Sequence, residues 1–110
     1  MATHAPSLPH GTLDLLVLRT LARGENHGYG ILVHVHEASN NLLRIEEGSL
    51  YPALHRLEQA GLLDSEWRTS DNGRRARYYS LTRKGRRQLA EAQRNWERAA
   101  EGIVRVLQFT

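Results

Sequence analysis

The 110-residue chain has no cysteine, a single methionine, three prolines and only 6% aromatic residues. Without cysteine there is no disulfide, no thiolate metal site and no cysteine nucleophile, which suits a reducing compartment. No stretch approaches the roughly 20 apolar residues that cross a bilayer, and the segment MATHAPSLPHG has no basic region followed by an apolar run. The expected location is therefore the cytoplasm, with no membrane partner. Catalytic signatures are missing too: there is no G-x-S-x-G elbow, phosphate-cradling glycine loop, dinucleotide fingerprint or H-E-x-x-H. An enzyme is not expected. His34 and His36 are two residues apart, about 200° around a helix, and so cannot hold one ion together. No metal or other cofactor is expected.

What is present suits one small domain, since 40% hydrophobic residues is ordinary for a folded chain. Charge is distributed unevenly. Residues 68–87 hold eight cations (Arg68, Arg74, Arg75, Arg77, Arg83, Lys84, Arg86 and Arg87) against Asp71 alone, or +7, which leaves −4 for the other ninety residues of a chain totalling +3. A surface polarised in this way suits an anion, and a phosphate backbone fits best.

Residues 1–10, with two prolines and no periodicity, read as a disordered arm. Residues 11–82 then carry the pattern of a compact domain. Thr12 can cap a first helix, in which Leu13, Leu16, Val17 and Leu21 make one apolar side and Leu15, Leu18 and Ala22 another. A helix apolar on two sides needs cover on both, so Leu15 and Leu18 are expected to meet a second subunit. A second helix is predicted over 29–39, with His27 assisting its start and Asn40 and Asn41 closing it. The connection 42–46 has the character of an edge strand.

A third helix is predicted over 50–60. Ser49 is its expected cap, Pro52 lies in its first turn where no N–H is needed, Leu50, Leu54 and Leu57 face inward, and Gly61 stops it. Strands are predicted over 63–69 and 76–81, joined by a polar loop containing Asn72-Gly73, a strong hairpin signal. Tyr79 and Leu81 share the core face of the second strand, and Tyr78 points away. Thr82 then caps a final helix over 83–107, about 37 Å long. Residues 83–110 are expected to serve dimerisation: Leu89, Ala92, Trp96, Ala99, Ile103 and Val106 step by three and four residues over about two and a half heptads, a coiled-coil seam that Leu107 widens.

Three helices, a hairpin and a long helix give a mainly α fold with a small β-hairpin wing (α+β), in the order of a winged helix-turn-helix with an added dimerisation helix. In such a domain the third helix enters the major groove of double-stranded DNA. Ser49 and Tyr51 suit phosphates. His55 and Arg56 are placed for base edges, arginine being able to pair with guanine through two hydrogen bonds, and Gln59 is a weaker candidate. Arg74, Arg75 and Arg77 surround the wing turn and can reach phosphates or a narrow minor groove.

The segments Gly28-Tyr29-Gly30-Ile31, GSLYPALHRLE (48–58) with Gly61-Leu62, and Arg77-Tyr78-Tyr79-Ser80-Leu81-Thr82 with Lys84-Gly85 resemble the PadR transcriptional regulators over residues 11–107. The single last helix is similar to that of the short subfamily. This resemblance implies a homodimeric repressor on a pseudo-palindromic operator, released by a small molecule, and it adds Tyr29 and Pro52 to the DNA-binding set. In some short members a tryptophan on the last helix pairs with its dimer mate around a flat aromatic ligand. Trp96 matches that placement, with Gln93 on the rim, although the plainer reading of Trp96 is a dimer-core aromatic. Two other readings stay open: a winged-helix module that binds protein, and a dimer whose purpose is to bind an aromatic ligand.

Overall fold

Spacing by three and four residues brings the apolar side chains of α1 (Thr12–Ala22) onto a common core, and the computed structural model describes that core together with Leu8 and residues 11–69 and 71–110. The expected arm, residues 1–10, lies outside the described residues except for Leu8, which packs against the core. Thr12 is the first helical residue of α1 and not its cap; the cap position is Gly11, which has no side chain to offer. The buried Thr20 hydroxyl is satisfied by the Leu16 carbonyl at 2.8 Å.

Next come β1 (Asn26–His27) and α2 (Gly28–Ala38). His27 caps α2 as expected, its Nδ1 accepting the Gly30 N–H at 3.0 Å. Asn40 and Asn41, with φ of 55° and 65°, turn the chain away. The edge strand is not at 42–46: the Leu43 N–H is bonded to the Ser39 hydroxyl at 2.9 Å and its carbonyl faces His36 Nδ1 at 3.3 Å, so local side chains take up the groups a ladder would need. Instead β1 supplies the edge, pairing antiparallel with β3 (Arg75–Leu81), which also pairs with β2 (Leu63–Thr69) in a sheet of order β1-β3-β2.

The third helix, α3 (Glu47–Gln59), starts three residues earlier than its sequence suggests. The Glu46 carbonyl accepts the N–H groups of Ser49 and Leu50, both at 3.0 Å, so Ser49 lies inside the first turn and does not cap it. Pro52 consequently falls in the second turn and leaves the Gly48 carbonyl without its helical donor. Leu50, Ala53, Leu54 and Leu57 are buried, and α3 stops before Gly61.

Thr82 opens α4 (Arg83–Gln108): its hydroxyl accepts the Gly85 N–H at 3.0 Å and donates to the Gly61 carbonyl at 2.7 Å. A Cβ on Gly85 would collide with the Leu62 carbonyl oxygen, so only glycine lets the first turn of α4 lie on the α3–β2 corner. Lys84 Nζ reaches the Ala60 carbonyl at 2.9 Å across the same corner. The core is thus shared by α1, α2, α3, the sheet and the start of α4. Because α1 packs against α4 as well as α2, α3 and β3, much of both its apolar sides is covered within one chain, with Leu15 and Leu16 left half-buried. Leu18 and Leu89, expected at a subunit interface, are buried in this core. Among the described residues, no helix is long and apolar enough to cross a membrane.

Candidate nucleic-acid interface

With its leucines inward, α3 turns Gly48, Ser49, Tyr51, Pro52, His55, Arg56 and Gln59 toward solvent. The centre of this outer face is Pro52, His55 and Gln59, because positions three, four and seven apart lie on one face of a helix. Tyr51 sits on one flank, where its ring covers Gly28 of α2: a Cβ at Gly28 would approach the ring to 2.7 Å, so the glycine gives Tyr51 its seat. Tyr29, the next residue, is 66% exposed and lines an open groove with Glu46, Glu47 and Gly48. Tyr29, Ser49, Tyr51, Pro52 and His55 therefore form one continuous surface. The glutamates are a complication for Ser49. Glu46 and Glu47 already complement the positive end of α3, so a phosphate near Ser49 would share that end with two carboxylates.

Arg56 occupies the other flank and does not point freely outward. Its guanidinium makes two hydrogen bonds, at 2.8 and 2.9 Å, to the Asp14 carboxylate of α1, which raises the Arg56 pKa further. The pair is exposed, 60% for Arg56 and 38% for Asp14, so it is a weak link that a competing anion can open.

The wing carries a second row. Alternation places Leu63, Ser65 and Trp67 of β2 on one face with Tyr79, Arg77 and Arg75 of β3. Leu63 and Tyr79 enter the core. Farther out, Ser65 donates to Glu58 of α3 at 2.6 Å, and Arg77 bonds to Ser65 at 2.8 Å and to Glu58 at 3.2 Å. The Ser65 hydroxyl first, and Arg77 second, hold the Glu58 carboxyl below the ordinary range. Arg77, expected to reach phosphates or a minor groove, here ties the wing to α3. Arg68 is also engaged, with Glu25 and Glu66 around its guanidinium and the Tyr78 ring 5.1 Å away, so Glu25 titrates below its usual range. Beyond them, the Arg75 guanidinium lies over the Trp67 ring, 5.0 Å from its centroid, and Arg74 is exposed at the turn.

Comparison with known proteins assigns this arrangement. The family model described as "Transcriptional regulator PadR-like family" matches residues 17–91. The chain belongs to the PadR-like family of transcriptional regulators. It is 41% identical over 90 residues to the transcriptional regulator Rv3488 of Mycobacterium tuberculosis, covering 82% of this chain and 80% of that protein. A PadR family transcriptional regulator from Eggerthella lenta superposes with a TM-score of 0.78 at 34% identity, over 91% of this chain and 85% of that one. Another, from Clostridium difficile, gives 0.76 at 29%, over 88% and 99%. The fold is thus that of a winged-helix, DNA-binding type of regulator, and the family is one of regulators rather than enzymes.

In this PadR-like chain the far half of α4 lies beyond the core. Trp96 is 48% exposed, and Ile103, Val106 and Leu107 are exposed with Val104 and Phe109. Ala99 belongs to the same apolar side, forming a shallow hollow with Gly102, Ile103, Val106 and Leu107. Trp96 also separates two grooves against α1. One, of about 330 Å³, is lined by Leu8, Leu15, Leu16, Leu43 and Gln93; the other, of about 210 Å³, by Asp14, Leu15, Leu18, Leu57 and Ala92. Sequence reasoning missed Asp14, Glu58 and Trp67. The first two could be found only through tertiary contacts, whereas the strand alternation of β2 was a signal for Trp67.

Proposed function

We propose that the protein is a homodimeric repressor that binds a pseudo-palindromic operator in the cytoplasm. The observation that carries this is the outer face of α3, a helix held by four buried side chains yet uncovered from Tyr51 to Gln59, beside a basic wing. An uncovered helix of this kind fits the major groove, where Tyr51 and Ser49 meet phosphates and His55, Pro52 and Gln59 meet base edges. Tyr29 extends the phosphate contacts, and Arg74 and Arg75 follow the neighbouring backbone. Arg56 joins the readers when DNA competes it away from Asp14.

The dimer is supported by the far half of α4. A soluble monomer rarely leaves so many large apolar side chains uncovered along one helix. Leu15, Ala92, Trp96, Ala99, Ile103, Val106 and Leu107 form the proposed contact, with Leu18 and Leu89 serving as the packed layer beneath. The two α4 helices set the spacing of the two α3 helices, and with it the half-site separation.

The groove of about 330 Å³ beside Trp96 supports release by a small aromatic effector. It falls within the range of small-molecule sites, with Trp96, Leu15 and Leu16 as apolar walls and Gln93 on the rim. An effector that prefers a different α4 spacing draws the population away from the operator-competent form. In vitro selection from a random duplex pool tests the core of the proposal. The expected product is an inverted repeat with half-site centres about 10 base pairs apart; a pool with no enriched sequence overturns it.

A further inference from the structure

Trp67 stands near the outer end of β2, 55% exposed and outside the core. Large aromatics are usually well buried, so an uncovered tryptophan on a hairpin asks what it does there. Its register answers in part: Trp67 pairs with Arg77, and both Arg77 and Arg75 place guanidinium groups over its ring, 5.7 and 5.0 Å from the centroid. The two arginines differ. Ser65 and Glu58 hold Arg77 back against α3. Arg75 lies one step farther out on the same face, and among the described residues no carboxylate pairs with it. The row Glu58, Arg77, Trp67, Arg75 thus runs outward from the third helix and ends on a cation.

We propose that Trp67 is a positioning residue for nucleic-acid binding: its ring holds the Arg75 guanidinium in place for a backbone phosphate beside the groove that α3 enters. This rests on the DNA-binding reading above. An arginine loose on a hairpin must lose rotamer freedom when it meets a phosphate, and one already lying on an aromatic face has lost much of it beforehand. The ring leaves the charge intact, since a guanidinium stacked on an aromatic face keeps its edge donors for an anion.

The test is a salt titration of fluorescence anisotropy on a labelled duplex recovered by the protein from a random pool, with wild type, Trp67→Ala, Trp67→Phe, Arg75→Ala and the Trp67→Ala/Arg75→Ala double variant. Trp67→Ala is expected to weaken binding about three- to tenfold and to reduce the salt slope of the dimer by about 1.8, roughly 0.9 from each half-site, as Arg75→Ala does. The double variant is expected to lose little more than either single variant, because both remove the same contact in each protomer. Trp67→Phe keeps a face and is expected to stay within about twofold of wild type. Trp67→Ala that binds with unchanged affinity and slope, or single effects that add in full, would overturn the role of Trp67 while leaving DNA binding in place. A wild-type protein that binds no duplex would overturn both.

Discussion

The third helix and the wing meet the same surface with opposite means. Over its whole length α3 carries Arg56 against Glu47 and Glu58, with Glu46 at its cap, so it has almost no positive charge of its own. Its strength is rigidity: four buried side chains fix it, and Tyr51 is seated on Gly28. The wing has charge but little core. Past Leu63 and Tyr79 its two strands stay paired out to Thr69 and Arg75, side chains such as Ser65, Glu58 and Arg77 tie it to α3, and part of its positive charge is spent on internal carboxylates. Shape and charge are thus separated in this domain, with α3 suited to selecting and the wing to holding.

The largest effect is expected where both regions are halved together. Trp96→Glu places a charge in the proposed seam, which is strongly unfavourable when buried. Monomers on sedimentation and a loss of duplex affinity of about 100-fold or more are expected, since two linked readers gain roughly 10² to 10⁴ from acting together. An intact dimer would show that the seam lies elsewhere.

Gly28→Ala strikes only the helical side. The new methyl overlaps the Tyr51 ring, so a destabilisation of about 1–3 kcal/mol is expected on thermal unfolding, with weakened DNA binding and an unchanged salt slope. A lowered slope would mean that Tyr51 and the wing are not separate. A smaller change is expected from Asp14→Ala, which removes an acid and releases Arg56. Exposed pairs contribute about 0–1 kcal/mol, so stability should barely change, while affinity for a selected duplex should rise roughly three- to tenfold, about 1 kcal/mol. Unchanged affinity would make Arg56 a strut between α1 and α3 and remove it from the readers.

The smallest effect concerns the joint between the two regions. Glu58 has its folded pKa lowered by Ser65 and Arg77. Its contribution is therefore complete above the unfolded glutamate value of about 4.3 and is lost as the pH falls through the lower folded value. Unfolding measured from pH 6 down toward pH 3 should show a steeper acid loss for wild type than for Glu58→Gln. Parallel curves would mean that this joint does not hold the wing.

Much of the frame was legible because it rests on local rules. Alternation placed β2 at its observed bounds, His27 and Thr82 capped the helices expected of them, and Asn40 and Asn41 turned the chain. The departures came from elsewhere in the fold. The edge strand is β1 because β3 offered Tyr78 and Tyr79 as partners, which no local pattern at 26–27 announces. Leu18 and Leu89 read as surplus apolar positions only until α1 and α4 are seen to pack together. In the site, Tyr51, Pro52 and His55 were readable from helical phase, but Arg56 and Arg77 were not, since their carboxylates lie 42 and 19 residues away in sequence. Trp67 was lost to register. A two-residue turn at Asn72-Gly73 would set it opposite Tyr78, but the strands end at Thr69 and resume at Arg75, which sets it opposite Arg77.

A basic wing and a third helix without net positive charge together bind duplex DNA in this account. The most direct measurement is the wild-type salt slope on a selected duplex. At least four phosphate contacts per dimer are expected, so log Kobs should fall with log[salt] with a slope of about −3.6 or steeper. A flat slope would contradict the account and point to a protein partner on the same surface.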